Sequence, residues 1–280
     1  MQTVAIVGVG LIGASFGLAL REAGFSGELI GVSSQPAITA GLRSGAISRS
    51  ATLEEVAAAA DLIYLAQPVD RILETIEILG PVAKSECLIT DAGSTKAAIV
   101  EKAGRYVVNA TFIGGHPMAG KEQRGAEAAD GNLFRGRPYV LTPQRSDHQA
   151  LSAFRMWLGR IGANVLEMSA AEHDRVVAFT SHLPQILSTS LAGMLAEQDT
   201  NAIAQVYGPG LLDMTRLAMS SPELWQSIFG SNRAQINVAI DAFIGYLLQL
   251  RDSIGTSDLV PLFQKGTLFS ASLRKPSSTL

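Results

Sequence analysis

Apolar and polar positions follow one order repeatedly through the first 168 residues. Thr3 to Val7 is a continuous β-rich run, the pattern of a strand buried on both faces. Ala14 to Ala23 has helical character, and Gly24 is placed to end it. Glu28 to Val32 reads as strand and Pro36 to Arg43 as a short helix. Thr52-Leu53-Glu54-Glu55 is a capping box, with Thr52 as N-cap and Glu55 reaching back, ahead of an alanine-rich helical segment. Asp61 to Ala66 is strand, Val69 to Leu79 amphipathic helix, Cys87 to Thr90 strand, and Thr95 to Ala103 helix. Val107 to Ile113 leads as an apolar run into Gly114-Gly115-His116-Pro117. Tyr139 to Leu141 is a strand, Gln149 to Gly159 a helix, and Asn164 to Met168 a last strand. Such alternation predicts a mostly parallel, doubly wound sheet, with ligands outside the carboxyl ends of its strands.

The pattern changes after Met168, and no strand is predicted beyond it. Ala170 to Leu195 reads as one long apolar helix kinked near Pro184. Asp199 to Tyr207, Leu211 to Met219, Pro222 to Phe229, Asn232 to Ile254 and Ser257 to Leu273 follow as helices, with a frayed tail from Lys275. Helices this apolar need partners, and a homodimer is the expected way to cover them.

Gly8-Val9-Gly10-Leu11-Ile12-Gly13 lies between the first strand and the first helix, the context a dinucleotide-binding turn requires. One glycine makes the tight turn, one admits a pyrophosphate, and one lets helix and strand pack closely. Gly8, Gly10, Leu11, Ile12 and Gly13 are therefore cofactor-binding candidates, with Pro68 at the end of the Asp61 to Ala66 strand. The acidic ribose reader expected after the second strand is replaced by Ser33 and Ser34, and no arginine stands there. The two hydroxyls suit NAD or NADP, with a lean to NADP. The fold class expected is α/β: a Rossmann-like doubly wound parallel sheet over residues 1–168, then an all-α domain over 169–280 for substrate binding and dimerisation.

Composition narrows the class. Of 280 residues 47% are hydrophobic and 17% charged, which suits a large core, and the net charge is −3. No long basic run favours nucleic acid or an anionic membrane, and no apolar run has the length of a membrane span. One cysteine, Cys87, excludes an intrachain disulfide and a cysteine metal cluster. With no charged leader ahead of Val4, the expectation is a cytoplasmic globular protein.

His116 is the candidate for chemistry. Pro117 biases it to extended backbone at a strand end, and a histidine there serves as base, acid or hydrogen-bond partner near neutral pH. Gly114 and Gly115 read as room for another molecule to approach. Ser94 reads as a helix N-cap whose hydroxyl also meets substrate. Asp91 reads as an ordinary strand-end acid, and Lys96 and Lys121 as solvated or phosphate-facing. His173 and His182 read as helix-packing residues and His148 as a surface one. No helical metal pair and no Gly-x-Ser-x-Gly elbow is present, so metal and serine-hydrolase chemistry are set aside. Arg216 stands on an otherwise apolar helix, paired with Asp213 or clamping a carboxylate. Trp225 reads as core or cleft wall.

Taken together, Gly8 to Ser15, Asp91 to Lys96, Gly114 to Gly120, Tyr139 to Pro143, His173-Asp174, Ser181 to Pro184 and Thr215 to Trp225 resemble the prephenate/arogenate dehydrogenase family of tyrosine biosynthesis. The resemblance runs from Val4 to about Ile254 and implies a nicotinamide-dependent oxidative decarboxylation of a cyclohexadienol. It makes His116 the base that accepts the hydroxyl proton, with Ser94 hydrogen-bonding near that hydroxyl. Arg216 becomes the carboxylate binder, and Gln185, His182 and Trp225 the other substrate-binding candidates. Gln185 stands where many members have histidine, at a position that looks toward the substrate's side chain, so prephenate and arogenate both stay open. Two other classes remain: another NAD(P)-dependent dehydrogenase with a helical C-terminal domain, of β-hydroxyacid dehydrogenase or imine reductase type, and a non-enzymatic dinucleotide sensor.

Overall fold

A computed structural model describes residues 1–143, 149–198 and 200–274. Asp199, His148 and the tail from Lys275, named above, lie outside the described residues. Strands β1 (Thr3–Val7), β2 (Glu28–Val32), β3 (Arg49–Ser50), β4 (Leu62–Leu65), β5 (Leu88–Asp91), β6 (Thr111–Pro117), β7 (Pro138–Thr142) and β8 (Asn164–Glu167) form one sheet in the order β3-β2-β1-β4-β5-β6-β7-β8. All neighbours run parallel except β6 and β7.

The buried runs Val4-Ala5-Ile6-Val7 and Leu62-Ile63-Tyr64-Leu65 explain why the central strands alternate so little: helices cover both their faces. On one face α1 (Leu11–Glu22), α2 (Gln35–Ser44) and α6 (Gln149–Arg160) bury Phe16, Leu20, Ile38 and Phe154. On the other, α3 (Leu53–Ala59), α4 (Val69–Leu79) and α5 (Ala97–Tyr106) bury Val56, Ile72, Ile76 and Ile99. The capping box at Thr52 forms as the sequence predicts.

Strand β6 changes partner midway. Thr111 to Ile113 pair parallel with β5, and Gly114 to Pro117 pair antiparallel with β7. His116 thus lies at the end of a strand, as expected, opposite Val140 of β7. It projects beyond β5, whose last residue is Asp91.

From α7 (Ala170–Val177) onward the described elements are helical: α8 (Leu183–Ala196), α9 (Thr200–Val206), α10 (Pro209–Thr215), α11 (Pro222–Ser231), α12 (Arg233–Asp252) and α13 (Leu259–Leu273). The single long helix expected over 170–195 is divided by a π-type turn, Ala178–His182, just ahead of Pro184. Proline supplies no N–H and crowds the carbonyl four residues back, and the wider turn absorbs both effects. α9 ends at Val206, and Gly208 and Pro209 start α10. A short 3-10 turn, Arg216–Met219, follows α10. The helical half buries little by itself: its core is Ala178, Ile236 and Ala239, while Phe263, Leu268 and Phe269 of α13 stay exposed.

Candidate active site

The glycine turn has the geometry its sequence implies. Gly8 takes a positive φ of 97°, and a Cβ on it would stand 2.5 Å from the Ala66 carbonyl oxygen. A Cβ on Gly13 would collide with the Gly8 carbonyl, so the third glycine serves helix–strand packing. Gly10 differs, because a Cβ there meets no protein atom within 4 Å. Gly10 also caps α1 without a side-chain hydrogen bond. The turn therefore presents first-turn N–H groups and open space to a cleft that Gly10, Leu11 and Ile12 line, which fits a pyrophosphate.

That cleft has a volume of about 1070 Å³. Pro68, Ser94 and His116 line it from the sheet half and Arg216 from the helical half. Ser33 and Ser34 lie exposed after β2 and are not among its walls.

The two glycines ahead of His116 serve the protein and not a ligand. A Cβ on Gly114 would run into Thr142 Oγ1, and one on Gly115 would lie 2.5 Å from the Asp91 carbonyl oxygen. Asp91, expected to be an ordinary strand-end acid, is fully buried. Its carboxylate accepts from the Gly93 N–H at 2.8 Å and the Gly115 N–H at 3.0 Å. Lys96, expected to be solvated or phosphate-facing, is also fully buried. It donates to Asp91 Oδ2 and, at 2.7 Å, to the Gly115 carbonyl. Burial lowers its pKa, and the Asp91 charge opposes that shift. Both backbone groups of Gly115, its N–H and its carbonyl, are thereby held, and His116 is the next residue.

His173 and Asp174 complete the arrangement. His116 Nδ1 lies 2.8 Å from His173 Nε2, and His173 Nδ1 lies 2.8 Å from Asp174 Oδ1. The Asp174 carboxylate accepts from the Lys96 N–H at 2.7 Å and the Ala97 N–H at 2.9 Å. It therefore caps α5, the role expected of Ser94. The helix starts at Ala97 instead of Thr95 because its cap comes from another part of the chain. Ser94 is left half-buried in the cleft wall. His173 is not the packing residue its helical setting implies, since both ring nitrogens are engaged at the site. Burial first, then His173, Lys96 and His182, hold the His116 pKa well below the ordinary 6.5, so its ring is neutral at neutral pH. Among the described residues no group bonds His116 Nε2, the ring nitrogen left for the cleft.

Arg216 pairs with Glu122 at 3.5 Å instead of Asp213, and both side chains are more than half exposed. Such a pair is weak, and the guanidinium remains available to another carboxylate. Lys121, on the same cleft wall, pairs with Asp130 at 2.8 Å.

Comparison with known proteins agrees with this geometry. Residues 16–167 match the nucleotide-binding domain of prephenate dehydrogenase, and residues 169–265 match its dimerization domain. The chain belongs to the prephenate dehydrogenase family. It is 34% identical to prephenate dehydrogenase of Bacillus subtilis (strain 168) over 271 residues, covering 94% of this chain and 73% of that protein. Prephenate dehydrogenase from A. aeolicus, solved with hydroxyphenyl propionate and NAD+, superposes with a TM-score of 0.90 at 30% identity, covering 98% of each chain. Synechocystis arogenate dehydrogenase superposes at 0.85 and 31% identity, covering 97% of this chain and 99% of that one. Members of the family are NAD(P)-dependent oxidoreductases, so of the classes left open by sequence the non-enzymatic sensor falls away.

Three substrate-binding candidates stand apart from the cleft of this family member. Gln185 is buried, and its Nε2 donates to the Leu217 carbonyl at 2.8 Å and to Thr189 Oγ1 at 3.1 Å. Ser188 Oγ accepts from the Ala218 N–H, so α8 fastens the turn that carries Arg216 from behind. His182 is buried against the rings of Trp225 and Phe229, with Nδ1 3.3 Å from Asn232 Nδ2, and burial lowers its pKa to about 4. Gln185 Oε1 and Trp225 Nε1 are buried and find no partner among the described residues. In the single chain this layer lies behind the Arg216 turn, and none of the three lines the cleft.

Proposed function

We propose that the protein is a dehydrogenase of prephenate or its amino counterpart arogenate, oxidising the ring carbinol with loss of the ring carboxylate as CO2. One observation carries the reading: His116, bonded through Nδ1 to His173, shares one cleft with the open Gly10 turn, Ser94 and Arg216. Gly8, Gly10, Leu11, Ile12 and Gly13, with Pro68, would hold the dinucleotide, and a bound nicotinamide would supply the hydride acceptor. His116 Nε2 takes the proton of the carbinol hydroxyl as the C–H bond breaks, and Ser94 hydrogen-bonds near that hydroxyl. Arg216 binds a substrate carboxylate and fixes the ring beside His116, which is catalysis by orientation. Loss of CO2 leaves an aromatic ring, which makes the step effectively irreversible. Gln185 acts from behind, holding the Leu217 carbonyl of the Arg216 turn, while His182 and Trp225 pack against each other in the layer beneath.

Ser33 and Ser34 carry no charge to repel a 2′-phosphate, which favours NADP, while the A. aeolicus relative is solved with NAD+. The helical half of residues 169–280 is proposed to close as a homodimer through the apolar faces that α12 and α13 leave exposed, a state that light scattering measures directly. A grid of both substrates against both cofactors tests the assignment. His116→Asn is expected to keep dinucleotide binding and lose turnover, and near-normal turnover in that variant would sink the reading.

A further inference from the structure

We infer that His173 and Asp174, contributed by the helical half, set the proton inventory of His116, so that the working base is a three-residue unit spanning both halves. This rests on the reading of His116 as the base. The argument starts from Asp174. Its two oxygens accept the Lys96 and Ala97 N–H groups at the start of α5, a place that favours negative charge. An ionised Asp174 only accepts, so the proton in its 2.8 Å contact with His173 belongs to His173 Nδ1. A neutral His173 then has a bare Nε2. That nitrogen lies 2.8 Å from His116 Nδ1, so the proton between the rings belongs to His116. A neutral His116 carrying its proton on Nδ1 has a bare Nε2, the atom that must accept the hydroxyl proton. The tautomer that catalysis needs is thus fixed by a carboxylate two residues removed from substrate.

The unit also places charge. When His116 Nε2 gains a proton, the O–H bond of the substrate breaks, an N–H bond forms, and His116 becomes an imidazolium. Its Nδ1–H then points at His173 Nε2, whose own N–H is backed by the Asp174 carboxylate. Around it stand Lys96 from the start of α5, Asp91 from β5, Asp174 from α7 and His182 from the π-type turn. Asp91 is committed to Lys96, which leaves Asp174 as the carboxylate directed, through His173, toward the new charge. His173 and Asp174 are positioning residues, because neither lines the cleft.

The chain has four histidines, few enough to resolve each ring by nitrogen-15 NMR. In the unsubstituted protein near neutral pH, His116 and His173 should each show a protonated Nδ1 and a bare Nε2. A doubly protonated His173, or a His116 protonated on Nε2, overturns the inference whether or not any substrate turns over. The kinetic arm compares His173→Phe with His173→Gln, whose amide oxygen can accept the His116 proton. His173→Phe should lower kcat by roughly 10²- to 10⁴-fold, the range for a displaced acid–base group, with the KM for cofactor unchanged. His173→Gln should recover about tenfold or more of that loss. Equal losses in the two variants, with both folded and binding dinucleotide, would show that His173 only fills space. Absence of turnover in the unsubstituted protein would strike the reading of His116 as base and leave the NMR result standing.

Discussion

Removing the Lys96 charge while leaving Asp91 should reach both stability and the strand that carries His116. In Lys96→Met the Asp91 carboxylate stays fully buried and keeps the Gly93 and Gly115 N–H groups, but loses its counter-charge. The Gly115 carbonyl loses its donor at the same time. Breaking a buried ion pair from one side costs about 3–5 kcal/mol, because the remaining charge has neither water nor partner. For a chain of this length that is a fall of roughly 10 °C in the unfolding midpoint. Asp91→Asn with Lys96→Met removes both charges, and the amide oxygen can still accept from Gly115. Its cost should drop to about 1–2 kcal/mol, the scale of a lost hydrogen bond and one unpaired carbonyl. Thermal and denaturant unfolding of the two single variants and the double variant give the coupling directly. A Lys96→Met protein within about 1 kcal/mol of the parent would refute the argument, as would a double variant less stable than either single one.

Gly10→Ala should leave stability within about 1 kcal/mol of the parent, since its φ of −93° accepts a side chain and no protein atom stands in the way. Calorimetry should then show dinucleotide affinity reduced about tenfold or more, whereas Gly115→Ala, built against the Asp91 backbone, should cost about 1–3 kcal/mol of stability. With His182 lowered to about 4 and His116 held well below 6.5, the unfolded chain binds protons that the folded chain refuses. Stability should be level above about pH 6.5 and fall as pH drops toward 4, by about 3 kcal/mol from His182 alone, as denaturant titrations across that range will measure. For the same reason the acid limb of kcat/KM should lie below 6.5, and a limb at or above it would contradict the burial of His116.

What the sequence made legible was local. Continuous apolar strands, the capping box at Thr52 and the glycine turn all depend on residues a few positions apart, and they form as expected. The machinery around His116 depends on distant residues. His173 is 57 positions from His116, and Asp174 is 78 from the Lys96 N–H it accepts. With Asp174 unseen, Ser94 was the natural cap for α5. Lys96 and Asp91 are five positions apart across a turn, and a lysine after a strand end ordinarily reads as solvated. A hint was present in Asp91-Ala92-Gly93-Ser94-Thr95-Lys96: a charge of each sign just past an apolar strand that the alternation itself places inside the sheet. The glycines before His116 misled for a related reason. Their missing side chains make room for Thr142 and the Asp91 backbone, and β7 was not visible as the partner of that segment.

The bonds that dock the helical half onto the sheet are also those that hold His116. Asp174 caps α5 through the Lys96 and Ala97 N–H groups, and the Lys96 side chain returns to Asp91 and the Gly115 carbonyl. From Asp174 the second route runs through His173 to His116. A closed circuit results: helical half, start of α5, β5, β6 and back through the two imidazoles. Asn232 joins α12 to it by donating to the Asp174 carbonyl. The two halves therefore cannot shift against each other without lengthening a charged hydrogen bond, and such bonds are the strong ones. Arg216 approaches the same cleft from the helical half, so its distance to His116 is set by this circuit and by the hold of α8 on the Leu217 carbonyl. Rigidity at the domain contact and the placement of Arg216 relative to His116 are in this protein one structural requirement. That requirement explains why the Asp174 carboxylate, which does not line the cleft, is fixed by two backbone N–H groups and a histidine.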